Sequence, residues 1–455
     1  MKIAVINGSP KGDLSITLQS LRFIEKKIPE FQLEIHNVSQ RIKKLAKDET
    51  LFNEILTDIE KADAIIWSVP LYVLTVPSQY KRFIELIHDK EKQSIFKDKY
   101  CAIITTSIHF FDHTAHNYMR AVCEDLNMKV VENFSPDLYD LPDKEHHPQL
   151  LSFAKTFLDA IKNNDATYRL NEPLKNTSIS YVNQTTESSI DLNDKKVVIL
   201  ADSLTENSSL TSMVNEYAAN FSSSVEIVSL DDLDIRGGCL GCCKCGPDYE
   251  CAYDNTDQYK NFYNTTMKAA DIIIFASTIK GRYLSWQMKQ FFDRAFFNTH
   301  SPSLTKKQIG FIISGPFRQL GFLQEILNAY VEWQRSNLIG FVTDEYDSNE
   351  TISALIKTTA QHTKSFIENS YQRPTTFLGV GGMKIFRDDV FGRLRFVFQG
   401  DHQHYESNGY YDFPKIDKFG EKMIEAMKEP NARKIIRGMI KAKMVEPHQK
   451  IVNEA

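Results

Sequence analysis

The chain has no run of about 18 consecutive apolar residues, so no membrane-spanning helix is expected. Its opening, Met1-Lys-Ile-Ala-Val-Ile-Asn-Gly-Ser9, holds too short an apolar run for a secretory signal and reads as a strand entering a turn. Positive charge is not in excess. Lys and Arg number 54 against 59 Asp and Glu, a formal net charge of −5, and this excludes the electrostatic footprint of a nucleic-acid binder. The first strand-to-helix turn lacks the spacing of both G-x-G-x-x-G and G-x-x-x-x-G-K-[ST], which argues against a dinucleotide Rossmann site and a P-loop. Cysteine is scarce outside one place: of seven cysteines, five fall between positions 239 and 251. With no export signal, unpaired cysteines place the protein in the cytoplasm. What is present is ordinary for a globular protein, 42% hydrophobic and 25% charged residues. The length of 455 residues suits two domains or three.

The cysteine segment reads Cys239-Leu-Gly-Cys242-Cys243-Lys-Cys245-Gly-Pro-Asp-Tyr-Glu-Cys251. Taken as Cys239, Cys242, Cys245 and Cys251, the spacing is C-x2-C-x2-C-x5-C. Compact runs of this kind are a signature of iron–sulfur clusters held by four thiolates, and a 4Fe-4S cluster is the first expectation. Cys243 is then a non-ligand, although it lies one residue from Cys242 and could replace it. Zinc is the second reading, but structural zinc usually takes two ligand pairs separated by a longer stretch. Redox-active or inert thiols are a third. Adjacent Cys242 and Cys243 argue against disulfides.

The same plan occurs twice. Lys2-Ile-Ala-Val-Ile-Asn-Gly-Ser9 with Ser15-Ile-Thr17 corresponds to Lys196-Val-Val-Ile-Leu-Ala-Asp-Ser203 with Ser209-Leu-Thr211, at an offset of 194 residues. Further on, Ala62-Asp-Ala-Ile-Ile-Trp-Ser-Val-Pro70 matches the run from Ala270, and Tyr80-Lys-Arg-Phe-Ile matches Met288-Lys-Gln-Phe-Phe, now at 208. The second copy has therefore gained 14 residues between its first and third strands, and the cysteine loop lies in that interval. Strands are expected near 2–7, 31–36, 63–69, 99–106 and 129–133, then near 196–201, 225–230, 271–277, 308–314 and 338–343. Strands alternating with helical patterns imply two α/β, doubly wound domains, each with a five-stranded parallel sheet. The expected boundaries are 1–163, a linker rich in Asn, Ser and Thr over 164–194, 195–373, and a mostly helical extension over 374–455. The extension reads as a cover for a domain face or a dimer contact. Its basic stretch around Arg433–Lys443 reads as a solvated face before a membrane contact.

Ligands in such sheets bind where the carboxyl ends of the strands open. Asn7-Gly-Ser-Pro-Lys11 follows the first strand, and Ser15 and Thr17 open the next helix, whose unpaired amides and dipole suit a phosphate. Ser15 reads equally as a plain helix cap. Pro70-Leu-Tyr-Val-Leu-Thr-Val-Pro77 follows the third strand, where Tyr72 could stack on a flat ligand.

Gly8-Ser-Pro-Lys11 with Ser15 and Thr17, then Pro70-Leu-Tyr72 with Pro77-Ser-Gln-Tyr-Lys81, resembles the NAD(P)H-dependent FMN reductase branch of the flavodoxin-like superfamily. The cysteine loop with Tyr253-Asp254 resembles the iron–sulfur flavoproteins of that branch. The resemblance covers about residues 1–160 and 195–370. It implies two tandem flavodoxin-like domains, with FMN phosphate at Ser9, Lys11, Ser15, Ile16 and Thr17. It places the isoalloxazine against Pro70, Leu71, Tyr72 and Val73, and a third loop at Thr105, Thr106 and Ser107. The second copy departs from the pattern with Asp202-Ser-Leu204, since an aspartate repels phosphate. Its Ser209, Thr211 and Ser314-Gly315 keep it in contention. The first copy has His36-Asn-Val-Ser39 and no cysteines after its second strand.

Weaker signals are read as structural. His109, His113 and His116 suit a polar helix start beside the ligand mouth before a metal site. Asp401-His-Gln-His404 lacks a partner pattern for a metal, and Cys101 and Cys123 suit the core. No catalytic acid or base stands out. The expectation is a flavin and iron–sulfur oxidoreductase or electron carrier, with NAD(P)H or a protein such as ferredoxin as donor and a homodimer left open. The alternative is a non-catalytic zinc- or thiol-containing binding protein with a decayed flavin site. FMN is expected in the first domain, facing the cluster of the second across a pseudo-dimer.

Overall fold

Short runs rich in Ile, Val and Ala are buried on both faces, and such runs form central parallel strands. The structure, a computed structural model, describes residues 1–184 and 189–455. In the first half, β1 (Lys2–Asn7), β2 (Gln32–His36), β3 (Ala64–Pro70), β4 (Tyr100–Thr106) and β5 (Lys129–Phe134) lie in the parallel order β2-β1-β3-β4-β5. In the second half, β6 (Val197–Ala201), β7 (Val225–Ser229), β8 (Ile272–Lys280), β10 (Gln308–Ser314) and β11 (Asn337–Thr343) take the same order. This is the doubly wound, flavodoxin-like order expected twice, with strand ends within a few residues of those read from the sequence. Helices cover the sheets. Leu18, Leu21 and Ile24 of helix Ile16–Lys27 pack with Ile3, Val5 and Ile66, and Leu210, Met213 and Val214 pack equivalently with Val197, Ile199 and Ile274.

One strand was not expected. β9 (Tyr283–Leu284) pairs antiparallel with the end of β8, making the second sheet six-stranded. Gly281 and Arg282, at φ of 52° and 64°, form the two-residue turn between them, the backbone that such hairpins need. A shorter version stands in the first half, where Tyr72 and Thr75 bridge around Val73 and Leu74, at φ of 34° and 69°.

The two halves meet around a pseudo-twofold axis that the 208-residue offset anticipates. Helices Ser78–Asp89 and Trp286–Arg294 pack together, and equivalent residues exchange equivalent hydrogen bonds. Ser78 N donates to Asp293 Oδ2 at 2.7 Å and Trp286 N to Glu85 Oε1 at 2.9 Å. Lys81 Nζ donates to Lys280 O at 2.5 Å, and Lys289 Nζ to Tyr72 O at 2.9 Å. Each lysine also pairs with the acid four residues on, Lys81 with Glu85 and Lys289 with Asp293, all four buried. Burial pushes both lysines down and Asp293 up.

The extension divides. Helices Phe377–Phe391 and Gln399–Ser407 belong to the unit Met1–Ser407, and residues from Asn408 form a second unit. Glu332 anchors the first of these helices, accepting from Thr376 N at 2.9 Å and Gly379 N at 2.8 Å. The second unit holds helices Lys418–Ala426 and Pro430–Glu454. Among the described residues no helix is long and apolar enough to cross a membrane.

Candidate functional site

The turn after β1 is built by Asn7. Its Nδ2 donates to Gly12 O at 3.0 Å and Asn37 Oδ1 at 2.7 Å, and its Oδ1 accepts from Ser9 N at 3.2 Å. Gly8 passes so close to Tyr80 that an added Cβ would lie 2.9 Å from the ring. Ser15 caps helix Ile16–Lys27 by accepting from Leu18 N at 3.4 Å. Thr17 Oγ1 is buried with no hydrogen-bond partner. An orphaned buried hydroxyl at a helix start is unusual in a protein interior and fits a ligand oxygen placed there.

The turn after β3 is strained. Val73 is β-branched and sits at φ of 34°, a region such residues avoid. Lys289 Nζ holds the turn from the other half, reaching Tyr72 O at 2.9 Å and Val73 O at 3.5 Å. Backbone strain of this kind concentrates at functional sites. Tyr72 OH is buried and unpartnered, like Thr106 Oγ1, and burial pushes the Tyr72 hydroxyl well up.

These loops line one cavity of about 370 Å³, within the size range of small-ligand sites. Lys11, Ser15, Ile16, Thr17, Pro70, Leu71, Tyr72, Val73, Thr106 and Ser107 all line it. Ser9 and Thr105 do not. Ser9 Oγ accepts from Lys11 N at 3.2 Å, and Thr105 Oγ1 bonds Ser135 Oγ and His116 Nε2, each at 2.9 Å. The far wall comes from the second half and the extension, with Cys239, Gly241 and Cys243, then Phe292, Phe296, His300, Trp333, Phe386 and Phe398.

All five loop cysteines line a second, much smaller cavity that Cys239 and Cys243 share with the first. Arg294 fixes the base of this loop. It donates to both Asp257 oxygens at 2.7 and 3.1 Å and to Gly237 O at 3.0 Å, and stacks 4.1 Å from the Tyr253 ring. The loop docks on the first half. Gln79 Nε2 donates to Cys239 O at 3.0 Å, and a Cβ on Gly241 would fall 1.8 Å from Tyr72 OH. All seven cysteines are free thiols. Burial pushes Cys239 up to about 12 and raises Cys245 as well. Tetrahedral zinc, with Zn–S near 2.3 Å, holds its sulfurs roughly 3.8 Å apart. Among the described residues no three cysteine sulfurs lie within 4.8 Å of one another. Glu34, His36 and Asp58 do lie that close, but Lys2 Nζ sits 2.8 Å from Glu34 Oε2 and places an ammonium against the group.

The equivalent loops of the second half are filled by the chain itself. Ser209 Oγ accepts from Tyr181 N at 2.9 Å, so the linker lies over the second helix start. Asp202 accepts from Ser277 Oγ and Thr278 N at 2.7 and 2.9 Å, and Asp344 from Gly315 N at 2.9 Å. Thr211 Oγ1 donates back to Leu204 O at 2.8 Å.

The three histidines of the first half stay apart. His109 pairs with Asp112 and His113 with Glu325, both at 2.8 Å, while His116 faces Thr105. Burial lowers His116 to about 4. Two features had no sequence signal. One is the reach of Lys289 to the turn at Tyr72 and Val73, and the other is a turn at Thr299-His300-Ser301 gathered by Asp401. Asp401 is wholly buried and accepts from His300 N at 3.0 Å, Ser301 Oγ at 2.8 Å and His300 Nδ1 at 2.8 Å. Sequence separations of about a hundred residues hide such a contact.

The model of one family, described as NADPH-dependent FMN reductase, matches residues 1–136 and 195–340. No curated protein matches the chain. Among solved structures, a flavone reductase is 13% identical with a TM-score of 0.30, covering 37% of this chain and 66% of its own. An NADH:FMN oxidoreductase in its apo form is 18% identical with a TM-score of 0.30, over 35% of this chain and 89% of its own. A flavoenzyme NAD(P)H:(acceptor) oxidoreductase from Paracoccus denitrificans is 20% identical with a TM-score of 0.29, over 36% and 97%.

Proposed function

Because the chain belongs to the NADPH-dependent FMN reductase family, we propose that it is an NAD(P)H-dependent oxidoreductase with FMN in its first half and an iron–sulfur cluster in the cysteine loop of its second. One observation carries this reading: the cavity lined by the loops after β1, β3 and β4 is closed by Cys239, Gly241 and Cys243. The orphaned Thr17 and Tyr72 hydroxyls fit a polar ligand in that cavity. Ser15, Thr17 and Lys11 would hold the phosphate, with Ser9 and Ile16 shaping the turn. Pro70, Leu71, Tyr72 and Val73 would lie along the ring, with Thr106 and Ser107 at its edge and Thr105 behind them. The second half is a poorer host, since its helix start is taken by the linker and Asp202 replaces Gly8.

Cys239, Cys242, Cys245 and Cys251 would hold a 4Fe-4S cluster. Cys243 lines the larger cavity and Cys242 does not, which favours Cys242 as the ligand. Flavin exchanges electrons in pairs or singly and a cluster singly, so the pair links hydride chemistry to one-electron carriers, while the protein sets position and potential. The chain's own part is to seat both groups across one internal interface. That pairing within the chain supplies what a homodimer otherwise would. The donor is NAD(P)H or a small electron carrier such as ferredoxin, and the setting is the cytoplasm.

The spectrum of protein purified without air tests this reading. Flavin bands with a broad brown shoulder, bound iron and acid-labile sulfide are expected. Zinc without sulfide would favour a non-catalytic binding protein. Cys239→Ser and Cys251→Ser should each lose iron, and full iron in both would sink the ligand assignment.

A further inference from the structure

The cavity has a wall that neither cofactor explains. His300 lines it with its Nδ1 tied to Asp401 Oδ2 at 2.8 Å. The ring is clamped, with Phe386 at 4.2 Å and Phe398 at 4.5 Å between centroids, and Tyr405 OH donates to its carbonyl at 2.8 Å. Among the described residues Nε2 has no hydrogen-bond partner, in a residue that lines the cavity. Asp401 already gathers the turn through Thr299 Oγ1, Ser301 Oγ and His300 N. Holding the turn therefore needs no imidazole. An imidazole whose Nδ1 is held by a buried carboxylate has a fixed ring orientation and leaves Nε2 as the nitrogen that can exchange a proton.

We infer that His300 is a catalytic proton donor to a planar quinone-type acceptor reduced in this cavity, and that Asp401 is its positioning residue. The inference rests on the FMN reading for its source of electrons. The aromatic wall of Phe296, Trp333, Phe386 and Phe398 suits a flat ring. A flavin bound there in its anionic reduced form would supply the quinone with a hydride, two electrons and one hydrogen. The Nε2–H bond of the His300 imidazolium breaks, and its proton joins the acceptor's oxygen. The products are a hydroquinone, oxidised flavin and neutral His300, which recovers a proton from water. A one-electron acceptor such as ferricyanide takes no proton and does not need His300.

The test uses the full chain loaded with FMN, as wild type, H300Q and D401N. With 1,4-benzoquinone, H300Q should be slowed by roughly 10²-fold and lose the solvent deuterium effect, with ferricyanide reduction and FMN affinity unchanged. D401N should also slow benzoquinone. In protein without FMN, D401N should release His300 from its single Nδ1–H tautomer, read from ring nitrogen shifts. Equal slowing with both acceptors would mean a merely structural role, and unchanged benzoquinone rates would end the inference. So would a mixed His300 tautomer in the wild type, which judges the dyad even if D401N does not fold. A wild-type chain that takes up no FMN would overturn the FMN reading instead, and the tautomer measurement separates the two failures.

Discussion

At the scale of single residues, the site is marked by polar groups that the fold leaves unfinished. Thr17 Oγ1 is buried without a partner, and Ser15 lines the same cavity. A hydrogen bond to a charged group contributes roughly 1.5–3 kcal/mol. Thr17→Val with Ser15→Ala should therefore weaken FMN by tens-fold or more, read by flavin fluorescence titration, and unchanged affinity would remove the first half as host. Gly241 carries a second expectation. It sits at φ of 62° and any Cβ would strike Tyr72 OH, so Gly241→Ala should lower FMN affinity and iron content together. Loss of iron alone would mean that the two loops are independent. The residues that show in the sequence are those whose chemistry is local: cysteines three apart, or a serine and threonine at a helix start. His300, Asp401 and Lys289 do not show, because their roles are made by partners far along the chain. Asp401-His-Gln-His404 looked at most like a weak metal motif, yet its aspartate organises a turn on another element.

At the scale of elements, the repeat made the sheet order readable, because buried strands need continuous apolar runs, while the packing of helices Ser78–Asp89 and Trp286–Arg294 emerges only in the structure. The hairpin at β9 was not readable, since one turn with two left-handed residues decides it. A buried ion pair lies within each of these helices, with its lysine also donating across the interface, and removing one partner of such a pair costs about 3–5 kcal/mol. Lys289→Met should thus shift the denaturation midpoint strongly, as should Lys81→Met, while a shift confined to one of them would break the pseudo-symmetry of the energetics. Helix Asp112–Asp125 adds a pH response. Burial depresses His116 from 6.5 to about 4, with Thr105 and Asp112 beside it. The unfolded chain binds this proton first, so stability is full above pH 6.5 and falls as pH drops towards 4. His116→Gln should flatten that part of a melting-temperature profile against pH, and an unaltered profile would locate the acid sensitivity elsewhere.

At the scale of the whole molecule, the two copies of a duplicated domain differ at their equivalent sites. In the first half the helix start keeps open hydroxyls and faces a cavity. In the second half the same position is closed by Tyr181 of the linker, by Asp202 and by Asp344. The closure could not be read from Ser209 and Thr211, which are the residue types a phosphate site needs. What decides it is that their hydrogen bonds are already taken inside the chain. The insertion that carries the cysteines then occupies the space across the interface, and the extension through Ser407 completes the far wall with Phe386 and Phe398. A symmetric flavin dimer would hold a flavin in each half. This chain should instead hold one FMN and one cluster, because only one of its two equivalent sites is open. Extracted flavin and sulfide, counted against protein from amino-acid analysis, check this directly. Two flavins per chain would mean that the linker yields to a second cofactor and that the halves are less specialised than their hydrogen bonds indicate.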